Sequence, residues 1–158
     1  MLRVCVLLAL CLAVSAQVFY VANDGNVLSN NCSSDDPCAS INQAYLFAML
    51  QNSTDIVMKL APGRYIGPQN VGLMFQSSVF ITSVDGSSPE DVVIEGSKTT
   101  PLCFASFHGT LSLSTMTIEG CAYATEVVNA SIYMFNCTIN GGAVVAVRSV
   151  ESTASARA

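Results

Sequence analysis

Two stretches of the chain repeat each other closely enough to constrain its fold. Leu111–Ala122 (LSLSTMTIEGCA) aligns with Ile132–Ala143 (IYMFNCTINGGA) at an offset of 21 positions. Apolar positions fall on apolar positions, and Gly120 falls on Gly141. An earlier segment, VVIEG at 92–96, fits the same frame 24 positions before MTIEG. Strand-and-turn units that recur at this spacing are typical of a solenoid whose successive coils stack.

The repeat groups the short β-like runs of residues 55–148 into coils. Runs that begin at 73, 79 and 92 form one coil, those at 102, 111 and 116 the next, those at 126, 132 and 137 a third, and 143 begins another. Because side chains alternate along a strand, Leu111 and Leu113 are predicted to face inward, whereas Thr117 and Glu119 are predicted to face solvent. The insertion Asp85–Asp91 (DGSSPED) is predicted to protrude.

Residues 17–54 have a different pattern and are predicted to cover the first coil. A strand at Val18–Ala22 is followed by the turn-forming residues Asn23–Asn26. Ser40 stands three positions before Gln43, as in a capping box, and apolar residues follow at helical spacing. We therefore predict an amphipathic capping helix from Ile41 to about Gln51, with its aromatic side chains in the core.

The first 16 residues have the pattern of a secretory signal peptide. Arg3 precedes the 11-residue apolar run Val4–Val14, and small residues lead to a predicted cleavage before Gln17. A buried helix or an uncleaved anchor is the alternative interpretation. No second apolar run is long enough to span a bilayer, so no transmembrane span is predicted.

Charge and cysteine usage agree with an extracellular or cell-surface location. After cleavage, five basic and eleven acidic residues remain, a net charge of about −6, which disfavours nucleic acids and anionic membranes as partners. Cys32 and Cys38 bracket a turn-rich loop and are predicted to form a disulfide. Of Cys103, Cys121 and Cys137, one must stay free or pair outside the chain. Their spacing and the single His disfavour a metal site, and no cofactor motif is visible.

Four N-x-S/T sequons are candidate glycosylation sites in a eukaryotic secretory pathway. They begin at Asn31, Asn52, Asn129 and Asn136. Asn52 lies in a Ser/Thr loop that favours modification, whereas Asn136 adjoins Cys137, which is predicted to face inward.

Several motifs, in order, resemble the N-terminal part of pectin lyase-like right-handed parallel β-helix proteins. They are FYVANDG, CSSDDPCASINQAY, LAPGRYIG, ITSVDG followed by VVIEG, and LSLSTMTIEG with NCTINGGA, and they cover residues 18 to about 148. The opening segment particularly resembles non-enzymatic surface members, the polymorphic outer-membrane-like and protist secreted β-helix proteins. The resemblance implies an all-β right-handed parallel β-helix of three to four coils with an N-terminal cap.

Enzymes of this family place carboxylates, and in lyases an Arg or Lys, on neighbouring coils of one face. The matching positions here are Glu95 and Glu119, the candidate catalytic residues, and Asn140 occupies that place on the next coil. The simpler interpretation is that each Glu precedes a glycine at a solvated corner. Lys98, Arg64 and Arg148 form no pattern with them in the sequence.

The expected function is therefore a structural or adhesive binding role, with a glycan or a cell-surface protein as partner. The alternative is a polysaccharide-active enzyme, either pectate lyase-like or glycoside hydrolase-like, that uses Glu95 and Glu119. Because the repeat stops near Val147 and residues 149–158 read as a tail, we expect an uncapped C-terminal coil. An uncapped coil favours one of two arrangements. Either this chain is the N-terminal part of a larger protein, or it forms a dimer through the open end.

Overall fold

The chain is predominantly β, with parallel sheets, as predicted. The structure, a computed structural model, describes residues 16–29, 31–97, 99–141, 143–147 and 153–157, the last two ranges by their backbone alone. Apart from Ala16, the predicted signal peptide lies outside these residues. The described elements, in chain order, are β1 Gln17–Asn26, α1 Ile41–Leu50, β2 Asp55–Leu60, β3 Gly63–Ile66, β4 Leu73–Phe75, β5 Ser78–Ser83, β6 Val92–Glu95, β7 Leu102–Phe107, β8 Thr110–Glu119, β9 Tyr123–Val128, β10 Ser131–Asn140, β11 Ala143–Val147 and β12 Thr153–Arg157.

The strands form a long sheet, a branch of it and a short sheet. The long sheet has the order β1-β2-β5-β8-β10-β12, and the short sheet has the order β11-β9-β7-β4. The branch consists of β3, β6 and the second half of β8, which pairs in turn with the second half of β10. All of these pairings between described strands are parallel.

The pairing register follows the sequence repeat. Leu111 pairs with Ile132 and Leu113 with Met134, so the 21-residue offset is the offset between neighbouring strands. Glu95 pairs with Glu119, which confirms the 24-residue offset. Runs in corresponding places of the predicted groups also pair with one another.

Chain corners repeat with the same offset. Thr115 and Asn136 have φ angles of 55° and 51°, so β8 and β10 each bend through one left-handed residue. The runs predicted as separate strands at 111–113 and 116–118 are therefore halves of one strand, as are those at 132–134 and 137–139. His108 and Asn129, also 21 apart, have φ angles of 60° and 49°. The left-handed region is tolerated by Asn better than by most residues, which suits it to such corners.

The interior is built from inward-facing apolar rows. Met58, Ile81, Leu113 and Met134 follow one another across the long sheet, and each is at most 4% exposed. The predicted inward orientation of Leu111 and Leu113 is confirmed. Each buried side chain of this size adds about 1.5–3 kcal/mol of favourable transfer free energy, so the rows hold the stacked strands together.

The helix begins where the sequence predicts. Ser40 Oγ accepts a hydrogen bond from Gln43 N (3.2 Å), and Gln43 Oε1 accepts one from Ala39 N (3.0 Å). Phe47 packs edge-on against Phe19 of β1, and Tyr45 packs edge-on against Phe75 of β4. The helix thus lies across the first strands of both sheets, with its aromatic side chains against the core as predicted.

The inner face predicted for α1 is confirmed in part, whereas its outer face is less polar than that of an amphipathic helix. Leu46 and Leu50 are 54% and 81% exposed, and Met49, predicted for the inner face, is 39% exposed. The inner face contains the buried residues Ile41, Ala44 and Ala48, as predicted, and the two alanines allow the helix to approach the strands closely.

The predicted turn at Asn23–Asn26 is also wrong, because β1 continues to Asn26. A Cβ atom on Gly25 would lie 2.4 Å from the backbone oxygen of Cys38, so this glycine permits a close approach between chain segments. Asn23 Nδ2 donates to the backbone oxygen of Arg64 (2.8 Å). The polar residues here tie β1 to its neighbours rather than reversing the chain.

Two further expectations need correction. Thr117 is only 7% exposed, because its Oγ1 donates to the backbone oxygen of Pro89 (3.0 Å) and the 84–91 loop folds back over it. Residues 149–158 are not merely a tail, since Thr153–Arg157 form β12 and pair with β10. Parallel strands pair through backbone hydrogen bonds, which small residues form as well as large ones. Because residues 153–157 are mostly small, the sequence showed no apolar alternation that would have predicted this strand. The long sheet therefore extends by one strand beyond β10.

Candidate functional site

Glu95 and Glu119, the predicted candidates, lie side by side and share one cation. Arg64 on β3 donates from Nε and Nη2 to Glu95 Oε2, at 2.9 and 2.7 Å. The same Nη2 donates to Glu119 Oε1 at 2.6 Å. Asn140 Nδ2 lies 3.4 Å from Glu119 Oε2. The prediction that Arg64 forms no pattern with these glutamates is wrong, whereas Lys98 and Arg148 lie outside the residues whose side chains are described.

The parallel register of the branch assembles this Arg64 cluster. Ile66, Glu95, Glu119 and Asn140 occupy one row across β3, β6, β8 and β10. Arg64 stands two residues before Ile66, so its side chain leaves the same face of β3. Its long side chain can therefore reach across two strands to both carboxylates.

Glycines after the two glutamates bring their strands into close contact. A Cβ on Gly120 would lie 2.3 Å from the backbone oxygen of Gly96, and a Cβ on Gly96 would lie 2.4 Å from Cys121 Sγ. Only glycine fits at either position without displacing the neighbouring chain segment. These glycines therefore fix the distance at which the carboxylates are stacked.

The electrostatics of the Arg64 cluster are those of a shared ion pair. Hydrogen bonds from Arg64 to Glu95, and then to Glu119, raise the pKa of the guanidinium above its ordinary value. The guanidinium offsets the repulsion between two stacked carboxylates, and the side chains are 28–56% exposed. The cluster can hold a polar ligand at the surface, and it leaves one net negative charge.

Other clusters of charge in the described residues are sparse. Lys59 pairs with Asp85 at 3.0 Å. In the part of the chain with described side chains, no three His, Cys, Asp or Glu residues converge as a metal site would require.

The disulfides resolve the cysteine pairing. Cys32 is bonded to Cys38, as predicted, and Cys103 is bonded to Cys121, which the sequence left open. Of the cysteines that the structure describes, Cys137 is the free one. It is half-buried, and this burial raises the pKa of its thiol.

The four sequon asparagines are all exposed. Three of them, Asn52, Asn129 and Asn136, have positive φ angles of 56°, 49° and 51°. Within β10, the left-handed residue Asn136 interrupts the alternation of side chains, and Asn136 is exposed like its neighbour Phe135. The sequence alone did not indicate this shared conformation.

The long sheet presents a surface to solvent, which we call the outward face, and the sequence did not indicate the exposed aromatic residues on it. One row contains Val57, Phe80, Ser112 and Tyr133, and the next contains Lys59, Thr82, Ser114 and Phe135. Tyr133 and Phe135 are 52% and 63% exposed, and Phe80 is 38% exposed. A shallow depression of about 110 Å³ lies between Asp55 and Ser112, and Phe80 lines it. The alternation of outward positions could have identified these residues if the sequence repeat had been aligned as far back as β2.

Comparison with known proteins adds no relative. The chain matches no protein-family model, no curated protein and no solved structure. Across its described residues, no helix is both long and apolar enough to cross a membrane.

Proposed function

We propose that this chain is a secreted or cell-surface module with a structural or adhesive binding role, built as a right-handed parallel β-helix of the pectin lyase-like kind. The parallel sheets and the corner residues that recur every 21 positions support this architecture. Two disulfides are compatible with an oxidising, extracellular location. The proposed partner is a glycan or a cell-surface protein.

The outward face carries the proposal. Exposed aromatic side chains are a recurring feature of recognition surfaces, since each offers a large, rigid contact area. Here Phe80 and Tyr133 share a row with Ser112, whose hydroxyl group can both donate and accept hydrogen bonds. Strands lie about 4.8 Å apart, so aromatic rings two strands apart recur at about 10 Å along the row. A flat surface of this kind fits an extended ligand that crosses the strands.

Retention experiments test the binding role. The secreted chain is passed over polysaccharide and cell-surface fractions, and we expect it to be retained. Replacing Phe80 with Ser should reduce retention at least 10-fold, since a contact residue at the centre of an interface contributes more than about 1.4 kcal/mol. Tyr123→Ser, which removes an exposed aromatic residue from the short sheet, is the matched control and should leave retention unchanged.

The Arg64 cluster supports a second candidate, a polysaccharide-active enzyme. Two carboxylates and a guanidinium lie within hydrogen-bonding distance on one face of the branch, a combination that polyuronate lyases and glycoside hydrolases use. Unsaturated product from polygalacturonate, or new reducing ends from a neutral polysaccharide, that is lost in Glu119→Gln would establish this activity. Retention that survives Glu95→Gln with Glu119→Gln, without product, supports the binding role instead.

A further inference from the structure

The most exposed aromatic side chain of the described residues stands next to a sequon. Phe135 is 63% exposed, and Asn136 begins the sequon Asn136-Cys137-Thr138. An aromatic ring exposed to this extent on a β-sheet has lost little of its contact with water, so covering it would be favourable. Something bound at Asn136 would be within reach of that ring.

The backbone at Asn136 brings the two side chains to one surface. Successive residues of a strand normally point to opposite faces, which would turn Asn136 inward when Phe135 points outward. The left-handed φ of 51° at Asn136 breaks this alternation, and both residues are exposed. Thr138, the hydroxyl residue that the sequon requires, is exposed as well.

The preceding coil shows that this combination is specific to β10. On β8, the residue that pairs with Phe135 is Ser114, and the corner that corresponds to Asn136 is Thr115. On its other side, Phe135 pairs with Arg157 of β12. The β8 coil has the same left-handed corner but neither the aromatic ring nor the sequon. The ring and the sequon therefore occur together, on one coil, at a corner whose backbone conformation does not require either.

We propose that Asn136 carries an N-linked glycan whose first N-acetylglucosamine packs against the ring of Phe135. In the attachment, Asn136 Nδ2 loses a proton and forms a bond to C1 of the sugar, while the lipid pyrophosphate of the donor leaves. The inference rests on the proposed secretion, because the donor and its transferase belong to the secretory pathway. Covalent attachment holds the sugar at high effective concentration beside the ring, so a weak stacking contact suffices.

This glycan would divide the outward face. The sugar would cover its Phe135 end, whereas the depression around Phe80 stays open to an external ligand. Glycosylation at Asn136 would thus limit which part of the outward face is available to the proposed partner.

Glycopeptide mass spectrometry of the chain secreted from a eukaryotic host gives the first test. We expect Asn136 to be occupied. A secreted chain that is glycosylated at Asn52 or Asn129 but bare at Asn136 would overturn this inference alone. A chain that stays inside the cell with all four sequons bare would overturn the secreted module, and this inference with it.

Thermal unfolding then tests the contact with Phe135. The other three sequon asparagines are replaced by Gln, and an endoglycosidase trims the glycan to its first sugar. Relative to Thr138→Ala, which removes the sequon and keeps Asn136 at its left-handed corner, we expect this sugar to raise the melting temperature by about 2–4 °C, and to raise it far less in Phe135→Ser. Tyr123→Ser is the matched control and should keep the full increase. An equal increase in wild type and Phe135→Ser would show that the sugar does not use the ring.

Discussion

Arg64 is the residue on which the polar branch of the structure depends. Its single guanidinium binds two carboxylates that belong to two other strands. Without it, Glu95 and Glu119 would be stacked at strand spacing with no cation between them. The residue therefore acts first as a stabilising contact between coils, whatever ligand the cluster also binds.

Replacing Arg64 with Gln should lower the melting temperature, and the loss should shrink as salt is raised, because ions screen the remaining repulsion between the glutamates. Lys59→Gln, which removes a pair with a single carboxylate, is the matched control and should have a smaller effect. Calorimetry at low and high salt measures both. Equal, salt-independent losses in the two variants would argue against a shared ion pair.

Tyr65 shows the opposite situation, a polar group that is wholly buried. Its hydroxyl donates to the backbone oxygen of Ala61 at 2.7 Å, and its side chain is 0% exposed. We expect Tyr65→Phe to lower the free energy of unfolding by about 0.5–1.5 kcal/mol, since that partly buried oxygen loses its donor. Chemical denaturation of the two proteins measures the difference.

The contribution of Tyr65 to the free energy of unfolding should fall as pH rises above about 10. Burial raises the pKa of Tyr65 in the folded chain, whereas the unfolded chain has the ordinary value near 10. The contribution is therefore fully present below about pH 10 and is lost as pH rises toward the folded-state value. The stability difference between wild type and Tyr65→Phe should shrink above pH 10. A difference that stays constant there would contradict the buried, neutral phenol.

At the scale of elements, the Cys103–Cys121 disulfide ties the beginning of β7 to the turn after β8. It closes a separation of 18 residues, whereas Cys32–Cys38 closes one of 6. By loop entropy, removing the longer bridge with paired Ala substitutions should cost about 3 kcal/mol, and removing the shorter one about 2 kcal/mol. Denaturant titration of the two double variants tests this order. A larger loss for the Cys32 and Cys38 variant would show that local packing, rather than chain entropy, dominates.

The sequence predicted those elements whose side chains repeat. The pairing of Leu111 with Ile132 follows from apolar alternation, since a slip of one residue would turn every inward side chain outward. The capping box at Ser40 predicted the beginning of α1 because its chemistry is local. Left-handed corners at His108 and Thr115 were not predicted, since neither residue type requires that conformation.

The sequence repeat did not predict contacts between distant segments of the chain. Arg64 lies 31 positions from Glu95 and 55 from Glu119, and the coil between them contains an insertion, so no constant offset connects the three. Thr117 is buried because the 84–91 loop folds over it. The alternation of side chains within β8 does not predict the position of that loop. The candidate carboxylates were thus identified, whereas their cation was not.

For the whole molecule, the parallel stack creates the surface on which the proposed function depends. Residues from six strands enter the row that contains Phe80 and Tyr133, and no single segment of the chain contains that row. The helix lies over the first strands, and β12 extends the long sheet beyond β10. The central claim is that the register places these side chains in one row.

Disulfide trapping measures that register most directly. In a Cys137→Ala background, we compare Phe80→Cys with Ser112→Cys, which are register partners, against Phe80→Cys with Ser114→Cys, which are offset by two residues. Partners about 4.8 Å apart fall within the Cα separation that a disulfide allows, whereas diagonal neighbours at about 7–8 Å do not. We expect rapid, intramolecular bonding in the first pair and slow bonding in the second. Faster bonding in the offset pair would contradict the register, and with it the row of side chains that forms the proposed binding surface.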